Sequence, residues 1–355
     1  MVFVQFASVM NPSVRSTEKS RVSSCPLADI VAEAVIAKYR SLRPENEGQS
    51  VLAGIVAVQD EHVHVISIGM GNKFNPTNQR RSNAVNDCHA EVLARRSFKL
   101  WLIRQWEDVC GSNCESPFFK PNHANQLTLL PNVKFVLYVS SAPCGNACIR
   151  KWGKAEKEKY SETQILHHLP DDPHEPFHPH AHSEGQTAIS FKGTSPFVLS
   201  CSDKILKWNV LGLEGVRLSP IVSVPIRISA IVVGRKFVKK HAMRAFCCRL
   251  SSGKIDPEIR AQLHHPSLLC TATKFDDGTF EDGKGATFSD SAIWYADGVG
   301  MEELNGLTGL VRNCQKDSAL SSTEFSKLID TMWIPAPTKQ RIDLGRSLAR
   351  QIHQI

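Results

Sequence analysis

Residues 86–98, NDCHAEVLARRSF, place a histidine two positions before a glutamate at the predicted start of a helix. His89 is a good candidate ligand for zinc because a neutral imidazole nitrogen binds that ion well. Glu91 carries a carboxylate that can accept a proton and release it again. The stretch therefore predicts a metal centre with a base beside it, both carried on a rigid element.

The residues around this stretch indicate a β-sheet layered between helices. Asn86 or Asp87 is the expected cap of the central helix, which is predicted to run to about Val109. A helix is also predicted over 27–42, two strands over 50–69 with a polar turn at 59–61, buried strands over 133–140 and 226–234, and a strand, turn and helix over 197–215, the helix beginning near Asp203. This order predicts an α/β fold with a mixed sheet between helices.

The composition excludes two classes of protein. The 355 residues contain eleven cysteines, whereas a disulfide scaffold is smaller and richer in cysteine, so a reducing compartment is expected. There is no run of about 18 apolar residues of the kind that spans a bilayer. We therefore expect an intracellular protein of the cytoplasm or nucleus with no membrane association. Its net charge of +7 mildly favours a polyanionic partner.

Two segments are expected to lie outside the folded core. Residues 1–24 are polar and serine-rich and predict a flexible tail. Residues 166–186 predict a flexible insert rich in histidine and proline; a metal-binding tract is the alternative interpretation. We favour the insert because a catalytic site needs rigid support. A single domain is therefore expected over residues 25–355.

Two cysteines can complete the metal centre with His89. The pattern H-x-E followed by P-C-x-x-C is typical of zinc deaminases, but here the residue three positions after Cys144 is Ala147. Either Cys148 is the third ligand through a distorted turn, or the ligand comes from farther along the chain. Cys201, in the sequence SCSDK after a predicted strand, is favoured. Three such ligands leave the fourth tetrahedral position open for water.

Three blocks, NDCHAEVLARRS, SSAPCGNACI and SCSDKILKWNVLGLEG, resemble signatures of the RNA adenosine deaminase family, and the resemblance covers about residues 27–235. It implies a cytidine-deaminase-like three-layer core with family-specific extensions. It also implies that His89, Cys144 and Cys201 bind Zn²⁺, and that Glu91 shuttles protons while adenosine is hydrolysed to inosine.

The same resemblance implies two further sets of binding residues. A buried inositol hexakisphosphate is expected on Arg95, Arg96, Lys204 and Lys207, with Asp87 and Lys204 linking it to the zinc ligands. Such a site is physically reasonable because a buried cationic lining needs a polyanion to neutralise it. In GMGNK (69–73), Asn72 is expected to contact a ribose and Lys73 a phosphate of RNA.

The expected substrate is tRNA, and the enzyme is expected to be a tRNA-specific adenosine deaminase. About 24 residues precede the first predicted helix, too few for a separate duplex-binding domain. The resemblance indicates the adenosine 3′ of the anticodon in an alanine tRNA, and it implies no obligate protein partner.

Four alternatives are weaker. Editing of another RNA remains open, and deaminases of cytidine or free nucleosides mostly use P-C-x-x-C. A zinc- and RNA-binding protein without activity has no need of Glu91. A Cys144 nucleophile paired with His89 leaves Cys201 and Glu91 unused.

Overall fold

The structure, a computed structural model, describes residues 25–43, 50–75, 80–148, 199–251, 255–275, 290–298, 300–314 and 316–354. The predicted tail over 1–24 and the predicted insert over 166–186 lie outside these residues. In the described part of the chain, every helix is too short or too polar to cross a bilayer.

Eleven strands and seven α-helices make up the described elements. The strands are β1 Leu52–Gln59, β2 His62–Met70, β3 Asn72–Phe74, β4 Asp87–His89, β5 Phe119–Pro121, β6 Leu127–Leu129, β7 Val133–Ser141, β8 Ile228–Arg235, β9 Ser267–Cys270, β10 Asp290–Tyr295 and β11 Glu302–Asn305. The helices are α1 Pro26–Leu42, α2 Ala90–Trp106, α3 Cys201–Leu211, α4 Lys239–Phe246, α5 Pro257–Ala261, α6 Ser322–Thr331 and α7 Lys339–Gln354.

Seven strands form one mixed sheet in the order β11-β10-β2-β1-β7-β8-β9. The pairs β7–β8 and β8–β9 are parallel, and the remaining pairs of this sheet are antiparallel. Two small antiparallel pairs, β3–β4 and β5–β6, lie outside it. The predicted mixed α/β fold is confirmed.

Helices cover both faces of the sheet. On one face α1 packs its buried residues, among them Val31 and Val35, against side chains such as Val56 of β1. On the other face α2 contributes Trp101, whose ring lies 6.1 Å from that of Phe135 on β7. Alternate residues of each central strand therefore feed two separate cores, which is the three-layer arrangement expected from the sequence.

Gly69 allows α2 to sit directly on the sheet. A Cβ atom at this position of β2 would lie 2.4 Å from both the carbonyl oxygen of Ala90 and the amide nitrogen of Ala94. The first turn of α2 therefore contacts the β2 backbone without an intervening side chain. This close approach holds that turn against β2, with His89 just before the turn and Glu91 within it.

The predicted start of α2 is wrong by about three residues. Asp87–His89 is a strand that pairs with Asn72–Phe74, and this pairing keeps it extended until Ala90. Asn86 closes the preceding loop instead of capping the helix, since its side-chain oxygen accepts from the Arg81 amide at 2.9 Å.

The start of α3, in contrast, was predicted about two residues too late. The helix begins at Cys201 and not near Asp203, because Ser200 is its cap: the Asp203 amide donates to Ser200 Oγ at 3.1 Å. The Asp203 carboxylate accepts from the Ser200 amide at 3.0 Å in return. Ser200 and its predecessor Leu199 are not in a strand, and the rest of the expected strand lies outside the described residues.

Candidate active site and metal centre

Three separate junctions bring His89, Cys144 and Cys201 together. His89 ends β4, Cys144 follows β7, and Cys201 begins α3. Their ligand atoms all lie within 4.8 Å of one another. Donors around one tetrahedral zinc ion are separated by roughly 3.5–3.8 Å, so small side-chain shifts suffice for a shared ion. Cys148, the alternative third ligand, does not belong to this group.

Backbone contacts hold the two cysteine segments against each other. The Cys201 amide donates to Cys144 Sγ at 3.3 Å, and the Ser202 amide donates to the Cys144 carbonyl at 3.0 Å. Between them Gly145 has a φ of 93°, and a Cβ there would lie 2.2 Å from Ser200 Oγ. The close approach of the two segments therefore requires glycine at this position.

The charges in the group suit a cation. Burial raises the pKa of Cys144, but the hydrogen bond from Cys201 and the charge of His89 outweigh it and hold this pKa below its ordinary value. Burial and the hydrogen bond to Cys144 raise the pKa of Cys201. A bound divalent cation would displace the protons of both thiols, because a metal binds the thiolate form.

Asp87 connects His89 to Lys204. Its Oδ1 lies 2.7 Å from His89 Nδ1 and also accepts from the His89 amide at 3.0 Å. Lys204 Nζ donates to the other carboxylate oxygen. Burial lowers the pKa of His89, but the Asp87 carboxylate outweighs it and raises this pKa to about 9. With Nδ1 engaged, Nε2 is the ring nitrogen that remains for a metal.

Glu91 lies in the first turn of α2 and is 3 % exposed. Burial raises its pKa, opposed by the charge of His89 and by hydrogen bonds, one of them with the Cys201 thiol. A carboxyl group with a raised pKa can hold and release a proton nearer to neutral pH. The candidate base is therefore placed directly beside the candidate ligands.

The two residues predicted to contact RNA, Asn72 and Lys73, lie on opposite faces of β3. Asn72 lies directly opposite His89, and Lys73 lies opposite Cys88. Because neighbouring residues of a strand point to opposite faces, Asn72 shares the face of His89 and Lys73 does not. Arg80 and Arg81, in the following loop, are exposed.

A group of cations, which we call the cationic cluster, comprises Arg95, Arg96, Lys99 and Lys207. The Arg95 guanidinium lies 5.0 Å from the Trp208 ring, Arg96 donates to the Leu320 carbonyl at 2.9 Å, and Lys99 Nζ lies 4.2 Å from the Phe325 ring. Burial and the charges of Arg95 and Arg96 lower the pKa of Lys99 well below its usual value. Burial and Arg95 likewise lower the pKa of Lys207.

Lys99 was not identified from the sequence as a member of this cluster, although its spacing from Arg95 indicated it. It follows Arg95 by four residues, so both lie on one face of a helix. Lys204 was predicted both to join these cations and to form a link with Asp87, and it contacts Asp87, whose charge outweighs the effect of burial and raises the pKa of Lys204.

Arg249 is a second supporting residue that sequence reasoning missed. It is fully buried and forms an ion pair with Asp203, which is 3 % exposed and completes the capping box that Ser200 forms at the start of α3. The two residues are 46 positions apart. No local pattern relates them, because the sheet and helix packing alone brings them together.

Comparison with known proteins gives the family. Residues 67–333 match the model of the adenosine-deaminase (editase) domain. The double-stranded RNA-specific adenosine deaminase of Mus musculus is 29% identical over 296 residues, covering 76% of this chain and 24% of that protein. The double-stranded RNA-specific editase B2 of the same species is 28% identical, covering 88% of this chain and 44% of that protein.

A third relative carries a different name. The tRNA-specific adenosine deaminase 1 of Drosophila melanogaster is 28% identical over 229 residues, covering 58% of this chain and 55% of that protein. This chain spans less than half the length of each of the two mouse relatives. Because the family model spans most of the chain, including His89, Cys144 and Cys201, the chain belongs to the RNA adenosine deaminase family, through its adenosine-deaminase (editase) domain.

Proposed function

We propose that this chain hydrolyses adenosine to inosine in RNA at a zinc centre formed by His89, Cys144 and Cys201. The observation that carries the proposal is the convergence of the three donor atoms within 4.8 Å. One imidazole and two thiols suit zinc and leave a fourth position for water, as in catalytic zinc sites. A zinc ion bound there would supply Lewis-acid activation of that water.

The residues around the centre have separate roles in proton transfer, ligand orientation and substrate binding. Glu91 takes a proton from the attacking water and delivers it to N1 of the adenine as the oxygen adds to C6. Glu91 then takes the remaining proton from the oxygen added at C6 and delivers it to the departing amine, so that ammonia leaves and inosine remains. Asp87 fixes the His89 ring through Nδ1. We assign Asn72 to the ribose, supported by its position on the face of His89, and Lys73 to a phosphate.

We further propose that the cationic cluster binds inositol hexakisphosphate. Its four side chains are partly buried, and the carboxyl of Glu214 opposes the positive charges that act on Lys99. Like charges held together away from water are unfavourable unless an anion compensates them. Lys204 contacts the same Asp87 that holds His89, and we assign it to the link between this cluster and the centre.

The first candidate substrate is tRNA, at the adenosine 3′ of the anticodon in an alanine tRNA. A base in a loop is unpaired, so turning it into the active site costs little. Adenosine in double-stranded RNA is the second candidate. It is favoured by the two mouse relatives, named for double-stranded RNA, which align with 76% and 88% of this chain against 58% for the tRNA-specific relative.

The two substrates are distinguished by one experiment. The purified chain is incubated with an alanine tRNA transcript, a perfect RNA duplex and free adenosine, with and without a zinc chelator, and inosine is located by sequencing or chromatography. Chelator-sensitive inosine at the tRNA loop supports the first candidate, and inosine in the duplex supports the second. Deamination of free adenosine alone contradicts an RNA enzyme.

Glu91→Gln separates catalysis from metal binding. We expect this variant to keep the metal content of the unmodified chain and to lose at least about 100-fold in deamination rate, since the proton carrier is gone. Glu107→Gln, the same change at an exposed position after α2, is the matched control. Ordinary deamination by Glu91→Gln would contradict the assignment of Glu91 as the base and would mean that another group carries the proton.

A further inference from the structure

A second cluster of thiol and imidazole groups lies at the end of α4. Cys247 and Cys248 follow this helix directly, and their Sγ atoms are 3.3 Å apart. Cys248 Sγ is 3.8 Å from Nδ1 of His265. The ligand atoms of all three residues lie within 4.8 Å of one another.

We propose that Cys247, Cys248 and His265 form a second metal site, for a soft divalent cation of which Zn²⁺ is the expected occupant. Around a tetrahedral zinc ion, two sulfurs are about 3.8 Å apart and a sulfur and a nitrogen about 3.5 Å, from bond lengths of about 2.3 and 2.1 Å. The observed separations need only small changes to reach these values. Thiolate and imidazole donors select zinc over magnesium or calcium, which prefer oxygen.

The three residues differ in their exposure to solvent. Cys247 and Cys248 are 2% and 1% exposed, whereas His265 is exposed. An ion would therefore reach the two sulfurs from the solvent side, through His265. Two thiolates neutralise a divalent cation, so the buried part of the site carries no net charge once it is loaded.

The position in the fold indicates a structural role. Cys248 immediately precedes Arg249, whose guanidinium is paired with Asp203 next to Cys201. His265 lies on the segment that enters β9 two residues later. An ion that joins Cys248 to His265 would fix the turn that carries Arg249. It would thereby support the ion pair of Arg249 with Asp203 in the first turn of α3, without contacting the substrate.

The test counts metal ions site by site. The full chain is reduced, stripped of metal with a chelator, and titrated with Co²⁺, whose thiolate charge-transfer absorption reports binding to sulfur. We expect two equivalents in the unmodified chain and one in Cys144→Ser, which removes only the first site. We expect His265→Ala to weaken one equivalent by at least about 10-fold. Zn²⁺ should raise the Tm of Cys144→Ser but not of Cys144→Ser/His265→Ala.

The controls keep the test decisive. His265 is exposed, so its replacement leaves the core intact even if Cys248→Ser fails to fold. His62→Ala removes an exposed histidine elsewhere and should leave both equivalents unchanged. The proposal is overturned if Cys144→Ser binds no Co²⁺, or if His265→Ala binds both equivalents as tightly as the unmodified chain. Because Cys144→Ser isolates the second site, failure of the proposed zinc centre gives a different result from failure of this one.

Discussion

Replacing Asp203 by asparagine tests whether the buried ion pair supports the active site. The carboxylate pairs with Arg249, which is fully buried, and accepts from the Ser200 amide at 3.0 Å and the Ser200 hydroxyl at 2.7 Å. Asparagine has nearly the same shape but carries no charge. The Arg249 guanidinium would then remain in the interior without its counter-charge.

The expected cost follows from these contacts. Removing one partner of a buried ion pair destabilises a protein by about 3–5 kcal/mol, because the other charge stays buried. Weakening the reciprocal cap of α3 adds up to about 1 kcal/mol. We therefore expect the free energy of unfolding to fall by about 4 kcal/mol, out of a typical total of about 5–15 kcal/mol. For a chain of this size that lowers Tm by roughly 5 °C.

The assay is urea unfolding followed by circular dichroism, with Tm as a second measurement. Asp203→Asn is compared with Arg249→Met and with the double variant. We expect the double variant to recover at least about half of the summed losses, because neither charge then remains buried alone. Asp256→Asn, at the N-cap of the short surface helix α5, is the matched control and should cost less than about 0.5 kcal/mol.

Two outcomes would refute this reasoning. A loss below about 1 kcal/mol in Asp203→Asn would mean that the Arg249 charge is solvated in the folded chain. Strict additivity of the two single changes would mean that the pair contributes no coupling energy.

Three further predictions address the metal, the polyanion and the pH dependence. Asp87→Ala should weaken zinc binding by about 10–100-fold in a chelator competition, because His89 loses its orienting acceptor; unchanged affinity would contradict this role. At 100 times its Kd, inositol hexakisphosphate should increase the free energy of unfolding by about 2.7 kcal/mol and so raise Tm. Lys99→Met should keep the fold and reduce that increase. Burial raises the pKa of Glu214 from 4.5 to about 7, against its backbone hydrogen bonds and Arg341. The folded chain therefore binds this proton more tightly than the unfolded chain. The stability from Glu214 is fully present below pH 4.5 and falls by about 1.4 kcal/mol per unit up to pH 7. Glu214→Gln, compared with the unmodified chain by urea unfolding at several pH values, should lack this slope, and identical slopes would count against the buried carboxyl.

Local pattern was sufficient for four of the seven strands of the main sheet, whereas β9, β10, β11 and the four helices after β8 were not predicted. Alternating and continuous apolar runs predicted β1, β2, β7 and β8, because burial on a sheet face has its own period in the sequence. The chemical types of His89 and Glu91, two residues apart, indicated a metal ligand with a base. These features depend on neighbours within a few residues, which the sequence displays directly.

Of the two helix boundaries next to the site, a tertiary contact decided one and a local cap decided the other. Local propensity placed the start of α2 at Asn86 or Asp87, but pairing with Asn72–Phe74 keeps Asp87–His89 extended. The start of α3 moved to Cys201 for a local reason, the Ser200 cap, that the sequence did carry. Element ends are therefore less secure than element types when another strand competes for the same backbone.

The tertiary structure decided between the candidate ligands, of which the sequence favoured Cys201. From the sequence, Cys148 and Cys201 both remained possible third ligands, and the structure brings only Cys201 within 4.8 Å of His89 and Cys144. Arg249 reaches Asp203 across 46 positions without any periodic signal. The reason is physical: a sequence shows which side chains share a helix or strand face, whereas the packing of helices on the sheet decides which distant faces meet.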